Sequence, residues 1–121
     1  MHYKRDEAFR FPFSEPVPAE FSLYLKKGSQ TGTGTGDAVL LDISPGGTRM
    51  RTAFDIPVNR EEVAIRLRFN VYQEPIATDG VIVWKEAAGD DWTYGIDFDE
   101  DALTAARIVS DLKLRRQSER T

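Results

Sequence analysis

Residues 61–72 alternate without a break. Val63, Ile65, Leu67, Phe69 and Val71 fall on one side, and Arg66, Arg68 and Asn70 on the other. A period of two is the signature of a half-buried β-strand. The same period runs through residues 17–27, where Val17, Ala19, Phe21, Leu23 and Leu25 share a face. Shorter apolar stretches at 38–43, 48–54, 76–85 and 93–98 bring the count to six strands. Each has one apolar face to hide, and an open sheet would leave two unpaired edges. Closing the sheet into an antiparallel barrel removes both edges.

The period then changes. From Glu100 onward Ala102, Ala105, Ala106, Val109 and Leu112 recur at three-to-four spacing, the mark of one C-terminal α-helix over 100–116. Asp99 is the expected N-cap, with Glu100 and Asp101 suited to the first turn. The expectation is therefore an all-β barrel with one helix. It forms a single domain of 121 residues, with an N-terminal arm at 1–16 and a barrel over 17–99. Pro12 and Pro16 keep the arm extended, and its Phe9, Phe11 and Phe13 are free to dock rings. The segment Gly28–Asp37 is glycine-rich but lacks the Gly-Lys-Ser/Thr ending of a phosphate-cradling loop. It reads as a flexible hairpin loop. Asp79-Gly80 is read as a bulge or bend within its strand.

Composition narrows the function classes. There is no cysteine and only one histidine, His2, so disulfides and Cys/His metal sites are excluded. A net charge of −4 argues against a general DNA or RNA coat. No apolar run approaches the ~20 residues of a spanning helix, and the first residues lack the apolar core of a secretory signal. The reading is a cytoplasmic protein with no membrane insertion. Ser44 has no histidine base, and its flanks are not Gly-x-Ser-x-Gly. Asp97 and Asp99 share a strand face, but further acids follow them, and a solvated acidic corner is expected. No metal, cofactor or enzymatic activity is expected.

A binding reading finds more. In Asp42-Ile43-Ser44 the two polar side chains point the same way while Ile43 points inward. Asp42 can accept paired N–H donors such as those on a guanine edge, and Ser44 can donate or accept. Gly46 and Gly47 allow close backbone approach. The plainer alternative is an Asx- or Ser-capped turn that only holds a hairpin. The arm adds Lys4, Arg5 and Arg10, and arginine grips phosphate with a planar fork.

Together these features resemble the PilZ domain, the bacterial receptor module for cyclic di-GMP. That family has a six-stranded barrel with a C-terminal helix. Its motifs are Arg-x-x-x-Arg and, some tens of residues later, Asp/Asn-x-Ser-x-x-Gly. Asp42-Ile43-Ser44-Pro45-Gly46-Gly47 matches the second in full, and Gly80–Trp84 and Tyr94–Phe98 also look like the family. The first motif departs, because Arg5 and Arg10 are five apart instead of four. The resemblance implies a cyclic di-GMP receptor in which the arm closes over the dinucleotide. Lys4, Arg5 and Arg10 would face phosphate and base, and Asp42, Ser44, Gly46 and Gly47 would form the barrel side of the site. A protein partner in motility or biofilm control would read the change. The broken arginine spacing leaves a second reading open, a degenerate adaptor that binds protein without nucleotide.

Overall fold

The computed structural model describes residues 10–25, 34–58 and 63–119. Six strands, β1 (Phe11–Leu25), β2 (Gly34–Ser44), β3 (Gly47–Thr52), β4 (Val63–Asn70), β5 (Pro75–Ala88) and β6 (Asp91–Phe98), precede helix α1 (Ala102–Glu119). The strands form a closed antiparallel barrel in the order β1-β2-β3-β6-β5-β4. Alternation decides what fills it. Val63, Ile65, Leu67 and Phe69 of β4 are buried, and so are Val17, Ala19 and Phe21 of β1. Leu40, Ile43, Met50, Tyr94 and Ile96 meet them with no exposed surface.

β1 starts at Phe11, six residues before the alternation at Val17. Phe11 and Pro12 pair with Ile43 and Asp42, and the register breaks between Pro12 and Val17. Prolines are tolerated at such an irregularity because no ladder N–H is required of them. Phe13 still reaches the core, at 7% exposure. β2 likewise reaches back into the glycine-rich segment as far as Gly34. The reason is packing. A Cβ on Gly36 would lie 2.7 Å from Phe21 Cζ and from Phe54 Cε2. Gly36 lies under these rings and Gly34 against the Leu23 side chain, and residues 28–33 lie outside the described part.

Two local expectations are corrected. The β4–β5 ladder runs unbroken through Asp79 and Gly80. The bulge falls instead at Val83, between the Ile82↔Ile96 and Trp84↔Gly95 pairs. The helix cap is Asp101, not Asp99. Asp101 Oδ1 accepts from Leu103 N at 3.1 Å and Thr104 N at 3.2 Å, whereas Asp99 N donates to Asp79 O at 2.8 Å and extends the strand end. The β5–β6 turn at Gly89-Asp90 has Gly89 at φ +66°, with no positive φ at a non-glycine residue among those described. Glycine at the first central position is the requirement of a type II′ hairpin turn.

From within β6, Tyr94 ties down the connection after β3. Its hydroxyl donates to Phe54 O and accepts from Ile56 N, both at 2.7 Å. Lys85 Nζ bonds Asp55 and Ile56 O and lies 4.4 Å from the Trp92 ring centroid. Burial pushes the Tyr94 phenol above its usual range. Tyr94→Phe strands two backbone groups and is expected to cost about 1–3 kcal/mol in urea unfolding. The sign with pH follows. The neutral phenol is the favoured folded form, so its contribution is full below the unfolded tyrosine value near 10 and falls as pH rises beyond it. The wild type should lose more stability than Tyr94→Phe above about pH 10. Equal slopes for the two proteins would refute the assignment.

Candidate functional site

The Pro45-Gly46 loop fixes the site's register. A two-residue loop sets Ser44 opposite Gly47, Ile43 opposite Thr48 and Asp42 opposite Arg49. Thr48 Oγ1 donates to Asp42 O at 2.6 Å across this hairpin, and Ser44 Oγ donates to Gly47 O at 3.3 Å. A bulge between Leu40 and Asp42 follows at once. Bulges re-aim side chains next to sites.

Asp42 is the centre. Its side chain is 5% exposed. Oδ1 accepts from Arg10 Nη1 at 2.6 Å and from Arg49 N at 3.3 Å. Oδ2 accepts from Arg49 Nε at 2.7 Å. The N–H donors that the sequence reading sought for Asp42 therefore include two arginines of the chain itself. Two guanidinium groups on one carboxylate leave a net charge of about +1. Their side chains are 25% and 44% exposed, so water and anions can reach them.

The ladder continues sideways. Arg49 is opposite Gly95, and Gly95 is opposite Trp84. A Cβ on Gly95 would overlap the Trp84 indole, which lies over it. Asp42, Arg49, Gly95 and Trp84 thus form one row across four strands on the barrel's outer surface. The neighbouring row runs Ser44, Gly47, Asp97 and Val81. Asp97 in that row is 7% exposed, so it is not part of a solvated corner.

The expected residues separate. Arg10, Asp42 and Ser44 lie on or beside the hairpin, while Lys4 and Arg5 fall outside the described residues. Gly47 is bare because β6 needs the room. A Cβ there would overlap Ile96 O. Gly46 O accepts from Phe98 N at 2.8 Å. Beside Pro45 and Gly46, a depression of about 410 Å³ is lined by Asp99, Glu100 and Asp101, which repel an anion. Charge therefore points to the Arg10–Arg49 side of the turn. Arg49 was missed in the sequence. The signal was present: once Pro45-Gly46 is taken as a two-residue loop, Asp42 must face Arg49.

The start of β1 also touches the helix. The Phe11 and Phe13 rings lie 5.6 Å apart. The Arg115 guanidinium is 4.9 Å from the Phe13 centroid, and that of Arg116 is 5.9 Å from Phe11. Arg115 Nη1 donates to Val71 O at 2.7 Å. Elsewhere Arg66 grips Asp79 with a fork at 2.7 and 3.2 Å, and that hydrogen bonding lowers the Asp79 carboxyl below its usual value. Among the described residues no group of three or more His, Asp or Glu is placed to hold a metal ion. No helix among them is long and apolar enough to cross a membrane.

A closed six-stranded barrel with a C-terminal helix and a hairpin carboxylate clasped by arginines defines a small binding module. The model of the PilZ domain matches residues 4–113, and the chain belongs to that family. PilZ domains are binding and regulatory modules, a family of cyclic di-GMP receptors. The fold is similar to the crystal structure of the PilZ domain of CeSA from a cellulose-synthesizing bacterium. Identity is 17% and the TM-score 0.59, over 88% of this chain and 99% of that one. It is also similar to the Bacillus subtilis inhibitor of motility, MotI/DgrA, at 15% identity and a TM-score of 0.59. That match covers 97% of this chain but 57% of the other. No curated protein matches the chain.

Proposed function

We propose that this chain is a non-enzymatic cyclic di-GMP receptor of the bacterial cytoplasm. Ligand binding at the β2–β3 hairpin would change the surface shown to a protein partner, in motility or biofilm control. One observation carries the reading: Arg10 reaches 32 residues along the chain to share Asp42 with Arg49. That contact joins the arm to the Asp42–Gly47 turn and sets two guanidinium groups beside it. A dianionic dinucleotide suits that charge, and arginine's planar fork suits both phosphate and guanine. Lys4 and Arg5 would add charge from the rest of the arm, and Ser44 would support the turn.

Titration calorimetry with cyclic di-GMP is the test. Heat with a saturable isotherm supports the receptor. No heat at tens of micromolar protein, together with an unchanged amide spectrum, sinks it. Arg10→Ala should weaken binding by about 1.5–3 kcal/mol, the scale of a hydrogen bond involving a charged group. A melting curve must show that the variant is folded.

The adaptor reading has its own observation. Asp42's oxygens already have donors within the chain, so the clasp serves folding even without nucleotide. An adaptor should recover the same protein partner from lysate with and without added cyclic di-GMP. Recovery that depends on the nucleotide removes this reading.

A further inference from the structure

We propose that Arg49 is a phosphate-binding arginine of this domain and takes the place of the arm arginine whose spacing is broken. The inference rests on the cyclic di-GMP reading above. Residues four apart in an extended segment share a face, and residues five apart do not. Arg5 and Arg10 therefore do not present a matched pair from a regular strand. Among the described residues, a second cation beside Arg10 comes from β3.

Arg49 meets the requirements. It faces Asp42 across the hairpin, and Asp42 Oδ2 holds its Nε at 2.7 Å. That bond takes one of five guanidinium donors and fixes the rear edge of the group. The side chain remains 44% exposed. Its other neighbour in the ladder is Gly95, over which the Trp84 indole lies, so the guanidinium sits in a row with an aromatic ring beyond it. Holding the guanidinium in place before the ligand arrives lowers the ordering cost of binding. The adjacent outward arginine of β3 differs. Arg51 is paired one-to-one with Asp91 at 3.2 Å, which cancels its charge. Arg10 and Arg49 converge on a single carboxylate, which sets two guanidinium groups side by side for a ligand carrying two phosphodiesters.

Calorimetry with cyclic di-GMP on the full chain tests this, comparing wild type with Arg49→Ala, Arg49→Lys and Arg51→Ala. Expected results are at least a tenfold loss for Arg49→Ala, an intermediate loss for Arg49→Lys, and affinity within twofold of wild type for Arg51→Ala. Melting curves identify any variant that fails to fold. Phosphorus NMR at saturating ligand separates contact from positioning. Direct contact predicts that a ligand phosphorus resonance moves in Arg49→Lys. Wild-type binding with Arg49→Ala within twofold overturns the proposal and spares the receptor reading. A loss of affinity in Arg49→Ala with an unmoved phosphorus spectrum in Arg49→Lys makes Arg49 a positioning residue and overturns direct contact. Absence of binding by the wild type overturns the receptor reading itself.

Discussion

Replacing Asp42 with asparagine lowers the unfolding free energy by about 2–3 kcal/mol, as urea denaturation should report. Asparagine keeps the shape but removes the charge on which Arg10 and Arg49 converge at 2.6 and 2.7 Å. Breaking a fully buried ion pair costs about 3–5 kcal/mol because it strands a charge. Both arginines here are partly exposed, so water recovers some of that loss. The backbone N–H of Arg49 also loses a charged acceptor at 3.3 Å. A cycle built from Asp42→Asn, Arg49→Ala and the double variant isolates the pairwise energy. The coupling should exceed that of an exposed pair such as Arg51–Asp91. Equal couplings would mean that the clasp is no stronger than a surface ion pair.

Gly80→Ala should be at least as damaging, at about 3 kcal/mol. A Cβ at Gly80 would overlap Asp97 O on the facing strand. The obstacle is backbone, and Gly80 is paired on both sides, with Ile65 and with Phe98. In an open sheet the offended strand could swing outward. In a closed barrel it cannot move without stretching five other strand pairs. Gly95→Ala is the comparison. The atoms in its way belong to the Trp84 side chain, which can rotate. Gly95→Ala should cost less and should shift the tryptophan fluorescence. The reverse order of stability losses would refute the distinction.

Much of the fold was legible because strand alternation and burial coincide. The faces read from Val17–Phe21 and Val63–Phe69 are the buried faces. The change of period after the strands correctly marked the helix. What was not legible has physical causes. The Thr33–Asp37 repeat also alternates, but its glycines carry no apolar signal. Its strand, from Gly34 onward, packs through long-range contacts of Gly36 with the Phe21 and Phe54 rings and of Gly34 with Leu23. Asp99 and Asp101 are equally good caps by type. The choice fell to Asp101 because Asp99 is still bonded to β5. In the site, Asp42 stood out by motif, and its partner Arg49 needed the loop length to be decided first. The pairing of Arg115 and Arg116 with Phe13 and Phe11 joins chain positions about a hundred residues apart. No local pattern encodes such a contact.

That contact between the start of β1 and the last turns of α1 has a use in protein engineering. The start of β1 and the last turns of α1 lie beside one another, through Phe11 and Arg116. Domains with neighbouring ends tolerate insertion into a host loop, since they ask for little extra span. This barrel would be such a cassette, and Arg10 immediately precedes the strand that meets the helix. A host enzyme or fluorescent protein joined through the arm would be linked along the chain to the Arg10–Asp42 clasp. On the receptor function proposed above, the domain would serve as a ligand-responsive reporter without redesign of its interior.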